Sequence, residues 1–391
     1  MIPLFKLLSH AELQKIHETS LNILETVGIR VDGDEATKIF QSSGAIIESE
    51  NIVKIPSSVV IEALRTNTSQ VKLFHRNSSD EMVIGDGVTK HSAVGWTSRI
   101  LDWKIGKYRD AKLADLAESV QLCGAIDEIS WFMSPLICSD VSASEQELYQ
   151  FKVGVENSNK PIILSVSDQN TLDKILHLGV ILAGNKEKMR EKPTFSIAVG
   201  LMSPLFLTSE LCDISITCSR LGIPIFLYTS SMAGATSPVT ISGTLAGNHA
   251  ETLAAVTLMK LVNPDAKILC NSYSKIFDMK AADVSPGNPE FGLLAAASVQ
   301  LGKVIGLPSG TGMFFTDSPQ MDMQAGMEKI GGSFLPLLSN SDFSSGMGML
   351  GKATIHSCAS LMADAEVVSY LDRIKKGFGC HDDHLALDTY K

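Results

Sequence analysis

Paired cysteine spacings and long apolar runs are both missing from this sequence. Its seven cysteines include no CxxC pair, which gives no cysteine zinc motif and argues against a disulfide framework. Lys, Asp or Asn interrupts every apolar run before it reaches the roughly 18 to 20 residues of a membrane-spanning helix. The short apolar start passes directly into a helix-capping pattern at Ser9–Glu12, so no secretory signal is predicted. We expect a soluble, cytoplasmic protein with reduced thiols.

A stripe of basic residues is equally absent. The formal net charge is −10, and the 33 Lys and Arg residues are scattered along the chain. This distribution argues against nucleic acid and against an anionic membrane surface as partners. With 391 residues, 45% of them hydrophobic, the chain can bury a sizeable core. We expect one large domain with an appendage.

Residues 1–85 are predicted to form a small α+β extension that packs on the larger domain. Apolar residues between Leu13 and Val27 fall on one helix face, and Gly28 provides a left-handed stop. A second helix and two short strands are predicted at residues 34–43, 52–55 and 71–75.

From residue 86 the sequence alternates between short β-rich runs and helical segments, a rhythm typical of βα units. The candidate strands are Thr89 to Val94, Ile129 to Met133, Pro161 to Val166, Thr194 to Val199, Pro224 to Tyr228, Lys267 to Asn271, Val304 to Leu307 and Ser333 to Leu338. Eight runs favour a closed (β/α)8 TIM barrel over residues 86–378, with a polar carboxyl-terminal tail at 379–391. A doubly wound open sheet has the same local signals, so only the strand count favours closure.

The predicted carboxyl ends of the strands, where barrels carry their active sites, hold few acids or bases. Lys275 could form an imine, although a surface lysine on a loop is the commoner explanation. His249 and Glu251 have the His-x-Glu spacing of zinc deaminases, but no Pro-Cys-x-x-Cys follows, so no metal site is predicted there.

Two further patterns are weak. Residues 380–384 contain metal-ligand residue types, for which a solvated tail is the simpler explanation. Residues 346–351 match GxGxxG before a helix, and barrels often bind phosphate after strands seven and eight, but a tight turn explains these glycines equally well. A phosphate-handling lyase or aldolase using Lys275 stays an alternative function.

Three stretches are more specific: 231–240 (SMAGATSPVT); 248–251 (NHAE) with 261–265 (LVNPD); and 306–309 (GLPS) followed by 316–318 (TDS), Asp322 and 324–326 (QAG). Leu101-Asp102, Gly106 and 111–116 (AKLADL) add to them. Together they resemble the trimethylamine methyltransferase (MttB-like) family over most of residues 10–375.

The resemblance implies a barrel enzyme that moves a methyl group from a methylated amine to the Co(I) corrinoid of a separate carrier protein. The chain itself would then bind no cofactor tightly and no metal. A quaternary nitrogen that loses a methyl leaves as a neutral tertiary amine, so no general acid is needed, which agrees with the scarcity of acids and bases. Catalysis would be chiefly positioning and desolvation.

The resemblance also favours a substrate class. The family's trimethylamine enzymes have a pyrrolysine about where this chain has residues 312–316, GMFFT. Members without it are similar to glycine betaine methyltransferases, so we expect glycine betaine or a similar quaternary amine. Because family members generally continue with a further carboxyl-terminal segment, a degenerate homologue that binds a betaine-like ligand without turnover stays a second alternative.

A quaternary ammonium calls for aromatic and methionine side chains, and a betaine carboxylate calls for hydrogen-bond donors. The candidates for the ammonium cage are Trp96, Tyr228, Tyr273, Phe314 and Phe315, with Met232 and Met313. The candidate donors are Asn271, Ser309, Thr311 and Asn340. No catalytic residue is named. We also expect a homo-oligomer, for which the apolar helix predicted at 291–301 offers a surface.

Overall fold

Eight parallel strands close into a barrel in the computed structural model, which describes residues 5–78 and 80–390. Neighbours along the chain are also neighbours around the barrel, and the last strand pairs with the first. The predicted closed barrel is therefore confirmed. The strands are β1 Lys90–Ala93, β2 Ile129–Met133, β3 Ile162–Ser165, β4 Phe195–Gly200, β5 Ile225–Thr229, β6 Ile268–Ser272, β7 Ser309–Gly312 and β8 Phe343–Met347.

A helix follows each barrel strand. Side-chain caps begin several of them, as where Asp168 Oδ1 accepts the Thr171 N–H at 2.7 Å, and left-handed Gly184 and Gly222 end α3 and α4. The helices are α1 Leu113–Ala125, α2 Gln146–Asn157, α3 Gln169–Ala183, α4 Ser209–Leu221, α5 Ile241–Val262, α6 Pro289–Val304, α7 Met323–Leu338 and α8 Cys358–Lys376.

Two of the eight predicted strands are wrong. Val304 ends α6, so the seventh strand begins only at Ser309, and the run from Ser333 to Leu338 is the last part of α7. The true β7 and β8 read SGTG and FSSGM, with almost none of the branched apolar residues that mark strands. The apolar carboxyl-terminal ends of α6 and α7, which precede these strands, gave a stronger strand signal in the sequence.

Large side chains fill the barrel lumen towards the amino-terminal ends of the strands. Trp131 on β2 contacts Phe226 and Phe343, with ring centroids 5.6 and 5.7 Å apart. A hairpin of Val71–Phe74 and Glu81–Ile84 adds apolar side chains to the same cluster. Its Phe74 N–H bonds Pro193 O just before β4, so the hairpin covers the amino-terminal end of the barrel.

The N-terminal extension packs against α5 and α6. Its first helix, His10–Asn22, has the predicted capping box at Ser9 and Glu12 and continues as a π-helix, Ile23–Val27. Ser20 Oγ donates to Ala246 O at 2.9 Å, and Leu13 joins an apolar cluster from both barrel helices. The extension also has helices at Asp34–Ser42 and Ser57–Leu64 and strands at Ile29–Val31, Ile46–Ile47 and Ile52–Lys54.

Short strands in the loops cover the carboxyl end of the barrel. One sheet joins loops after β1 and β8 through Arg99–Asp102, Lys107–Asp110, Met349–Leu350 and Ile355–His356. Another joins loops after β5 and β6 through Met232–Ala233, Lys275–Asp278 and Asp283–Val284. These sheets hold the loops in fixed positions above the lumen. No helix in the described part of the chain is long and apolar enough to cross a membrane.

A buried ion pair ties the last two helices to the end of β8. Lys329 Nζ on α7 contacts both carboxylate oxygens of Asp364 on α8, at 2.8 and 2.7 Å. The same carboxylate accepts the Gly348 N–H at 2.8 Å, and Ser360 Oγ accepts from Lys329. Both charges are almost completely buried, so neither can turn to water if its partner is lost.

Lys329→Met should therefore destabilise the protein by about 3 to 5 kcal/mol, because it leaves the Asp364 carboxylate buried and unpaired. The measurement is the free energy of unfolding in urea. The control is Lys72→Met, which breaks an exposed pair with Glu81 and should cost less than about 1 kcal/mol. Equal losses in the two variants would contradict this account of the buried pair.

Candidate active site

A cavity of about 300 Å³ lies above the carboxyl ends of the barrel strands, in the range of small-molecule sites. Its walls come from the strand ends and from the loops after β1, β5, β6, β7 and β8. The lining residues are Val94, Gly95, Trp96, Tyr228, Ser230, Tyr273, Lys275, Val284, Pro286, Phe291, Phe315, Met349, Lys352 and Ala353.

Five aromatic side chains form a continuous row along this cavity. The ring centroids of Trp96 and Tyr228 are 5.8 Å apart, and those of Tyr228 and Tyr273 are 5.6 Å apart. Phe315 continues the row at 6.1 Å from Tyr273, and Phe291 lies 5.6 Å from Phe315. The rings meet tilted or edge to face, as aromatic clusters prefer.

Glycines at two strand ends make room for these rings. A Cβ at Gly200, the last residue of β4, would lie 2.5 Å from the Tyr228 ring. A Cβ at Gly312, the last residue of β7, would lie 2.5 Å from Phe315 and 2.8 Å from Tyr273. Because real Cβ atoms do not approach so closely, the row of rings requires glycine at both positions.

Two tyrosine hydroxyls and two ammonium groups supply the polarity of the cavity. Tyr273 Oη and Ser345 Oγ lie 2.8 Å apart, and burial raises the pKa of Tyr228 to about 12. Lys275 Nζ donates to Ser230 Oγ at 2.7 Å, and Lys352 Nζ is 2.6 Å from Asp283 Oδ2. No carboxylate is among the described residues that line the cavity.

Four of the predicted cage residues line the cavity: Trp96, Tyr228, Tyr273 and Phe315. The other three do not line it. Met313 and Phe314 are completely buried, with Phe314 against His91. Met232 lies in the short strand that pairs with Lys275.

The four predicted carboxylate donors do not line the cavity. Asn271 is buried on β6, two residues before Tyr273. Thr311 Oγ1 donates to Ser272 O at 2.8 Å. Ser309 begins β7, and Asn340 lies in the turn before β8, so both are at the amino-terminal end of the barrel. Asn340 was expected at a carboxyl end because the eighth strand was predicted too early.

Several cavity residues were not predicted. Phe291 stands near the start of α6, and Met349 lies in the short strand after β8. Both residues belong to elements outside the eight barrel strands, and no local sequence pattern indicates that their side chains reach the cavity.

The acid and histidine on α5 serve another role than metal binding. Glu251 Oε2 accepts from Ser203 Oγ at 2.8 Å and Oε1 accepts the Leu205 N–H at 2.9 Å, which fixes the loop after β4. His249 Nε2 lies 3.0 Å from His17 Nδ1, and burial lowers the pKa of His249 to about 3. Within residues 5–78 and 80–390, no three His, Cys, Asp or Glu residues are placed to hold a metal ion.

The glycine-rich segment after β8 does not offer a ring of free amides. The Gly348 N–H donates to Asp364, and the Gly351 N–H donates to Ser318 O. The Lys352 N–H donates to Thr316 O. A phosphate cradle needs unoccupied N–H groups, so a tight turn explains these glycines better.

The fold and the cavity define a (β/α)8-barrel protein with a small aromatic-walled site and few ionisable groups. Comparison with known proteins agrees with this class. The chain belongs to the trimethylamine methyltransferase family, whose family model matches residues 1–391. The resemblance predicted from the sequence is thus confirmed.

Individual relatives span the whole chain. It is 30% identical over 384 residues to the trimethylamine methyltransferase MttB of Desulfitobacterium hafniense, covering 98% of this chain and 77% of the relative. It is 26% identical to a glycine betaine methyltransferase of the same species, covering 100% and 81%. The crystal structure of the Methanosarcina barkeri monomethylamine methyltransferase has a TM-score of 0.56 at 14% identity, covering 93% and 83%, and shows a common fold.

The buried Glu251 gives the stability of the protein a predictable pH dependence. Burial raises its pKa from 4.5 to about 7, so the folded state holds the proton more tightly than the unfolded chain. The resulting stabilisation is complete below about pH 4.5 and is lost as the pH rises through about 7. Wild type should lose stability relative to Glu251→Gln between pH 5 and pH 8, as measured by urea unfolding at both values.

Glu156→Gln is the control, because this exposed side chain on α2 should leave the pH dependence of wild type unchanged. A stability difference between wild type and Glu251→Gln that stays constant over the same pH range would show that the carboxyl does not titrate there.

Proposed function

We propose that this protein transfers a methyl group from a quaternary amine, glycine betaine or a similar compound, to the Co(I) corrinoid of a separate carrier protein. The observation that carries the proposal is the aromatic row from Trp96 to Phe291 along a cavity whose described lining has no carboxylate. Ring faces attract a quaternary ammonium, which has no N–H to donate and is poorly served by hydrogen-bond acceptors. Similarity to a protein named glycine betaine methyltransferase supports the substrate class.

The absence of carboxylates and histidines from the described lining of the cavity fits this chemistry. The N–CH3 bond breaks with its electron pair remaining on nitrogen, which becomes a neutral tertiary amine and needs no proton. The carrier's Co(I) supplies the nucleophile and accepts the methyl group. The chain's own residues bind the ammonium against the rings, orient one methyl outward and exclude water.

The loops at the barrel end offer a surface for such a carrier. Met202 and Met279 lie in the loops after β4 and β6, and Met323 begins α7. Their side chains are 52%, 62% and 90% exposed. Flexible methionines suit a transient partner surface. Their position on the same barrel end as the cavity lets a docked carrier face the bound amine.

A barrel aldolase or lyase is the second candidate, because Lys275 lines the cavity and a lysine amine can attack a carbonyl carbon to form an imine. Borohydride reduction in the presence of carbonyl substrates would then attach an adduct to Lys275. Under the proposed methyl transfer no adduct forms.

Trp96→Ala should weaken binding of a quaternary ammonium about thirtyfold, because a desolvated cation–π contact contributes about 2 kcal/mol. Calorimetric titration with glycine betaine measures the dissociation constant. The control is Trp103→Ala, a tryptophan 57% exposed outside the cavity, which should bind as wild type does. A Trp96→Ala variant with unchanged affinity would remove the ring from the proposed site.

Methyl transfer is tested by incubating the protein with glycine betaine and a Co(I) corrinoid carrier and recording the corrinoid absorption spectrum. We expect conversion to the methylated corrinoid that depends on both protein and amine. Binding without any conversion across a panel of corrinoid carriers would instead identify a degenerate homologue that retains only the ligand site.

A further inference from the structure

The cavity wall contains a partly buried ammonium group that no acid among the described residues neutralises. Lys275 Nζ contacts Ser230 Oγ at 2.7 Å and Tyr273 O at 3.5 Å. No ion pair among the described residues includes Lys275, and the only influence on its pKa is burial, which lowers it. An ammonium group that contacts only neutral oxygens has no negative charge beside it to compensate its own.

The second lysine of the cavity differs in this respect. Lys352 Nζ forms an ion pair with Asp283 at 2.6 Å, and this pairing raises its pKa. Lys352 therefore comes to the cavity with its charge already compensated. Of the two cavity lysines, only Lys275 can gain a new ionic partner without losing an existing one.

The position of Lys275 is fixed from two sides. It begins the strand Lys275–Asp278, which pairs with Met232–Ala233, and its N–H bonds Ser231 O at 3.0 Å. Tyr273, two residues earlier, belongs to the aromatic row. One short segment thus presents an aromatic ring and an ammonium group to the same cavity.

An unpaired ammonium is unfavourable for a ligand that is only a cation. A quaternary ammonium attracted by the rings would be repelled by Lys275, which lines the same cavity. A ligand that also carries a carboxylate removes the conflict, because its anionic end compensates Lys275 while its cationic end meets the rings.

We propose that Lys275 binds the carboxylate of a zwitterionic ammonium substrate and makes this site select betaines over quaternary amines that lack a carboxylate. This inference rests on the proposed function, since it assigns a binding residue to the carboxylate of the same ligand. It replaces the four donors expected from the sequence by one charged group that lines the cavity.

Two ligands of similar shape distinguish binding of the ammonium by the rings from binding of the carboxylate by Lys275. They are glycine betaine and its methyl ester, which keeps the trimethylammonium group and removes the carboxylate charge. Calorimetry on the wild-type protein should show betaine binding at least tenfold tighter, the lower range for a hydrogen bond to a charged group. In Lys275→Met the two ligands should bind within a factor of about three, with betaine weakened and the ester unchanged or tighter.

Lys280→Met is the matched control. Lys280 is exposed in the same loop and does not line the cavity, so its loss removes the same formal charge without touching the site, and the betaine preference should persist. Lys275→Arg should keep part of the preference, because the positive charge remains.

Equal affinity of the wild-type protein for betaine and its ester would overturn the role of Lys275 and leave the aromatic site and the proposed function intact. Failure of both ligands to bind wild type would overturn the proposed function and this inference together. Because the ligand comparison uses the unmodified protein, the inference remains testable even if a Lys275 variant does not fold.

Discussion

Closing eight strands around one lumen is the constraint on which the rest of this structure depends. Every inward position must be filled without overlap, so rings on one strand require small residues on the next. Phe343 occupies the space beside Gly310, and Tyr228 that beside Gly200. Nearer the carboxyl end the filling stops, and the rings that would pack the next layer line a cavity instead.

The same constraint decides what the sequence could predict. Six strands and all eight barrel helices are recognisable from β-rich runs and helical periodicity and from their spacing. β2 to β6 are covered on both faces and carry apolar residues, whereas β1 reads KHSA and has only Ala93 as an apolar residue. β7 and β8 are made of glycine and serine at the positions where neighbouring rings need space. Their strand signal is weak because packing against neighbouring rings requires small residues at these positions. Sequence periodicity does not reveal that requirement.

The site was predictable to a similar extent and for a related reason. Trp96, Tyr228 and Tyr273 lie within three residues of the carboxyl end of a strand, so locating the strand locates the side chain. Phe291 and Met349 reach the cavity from a helix and a loop strand, and their approach depends on how the loops cross the barrel. Lys275 was visible in the sequence, but its burial and lack of an acid partner are properties of the folded chain only.

The charges in the cavity also bear on how the proposed reaction is accelerated. The rings attract the ammonium most strongly in the ground state, since the positive charge leaves nitrogen as the methyl group departs. An interaction that is strongest before the reaction raises affinity without raising the rate of the chemical step. The Lys275 ammonium acts in the opposite sense, because its repulsion of the substrate nitrogen falls as that charge leaves. A lysine that binds the carboxylate would thus hold the substrate through one end and disfavour the charge that is lost at the other.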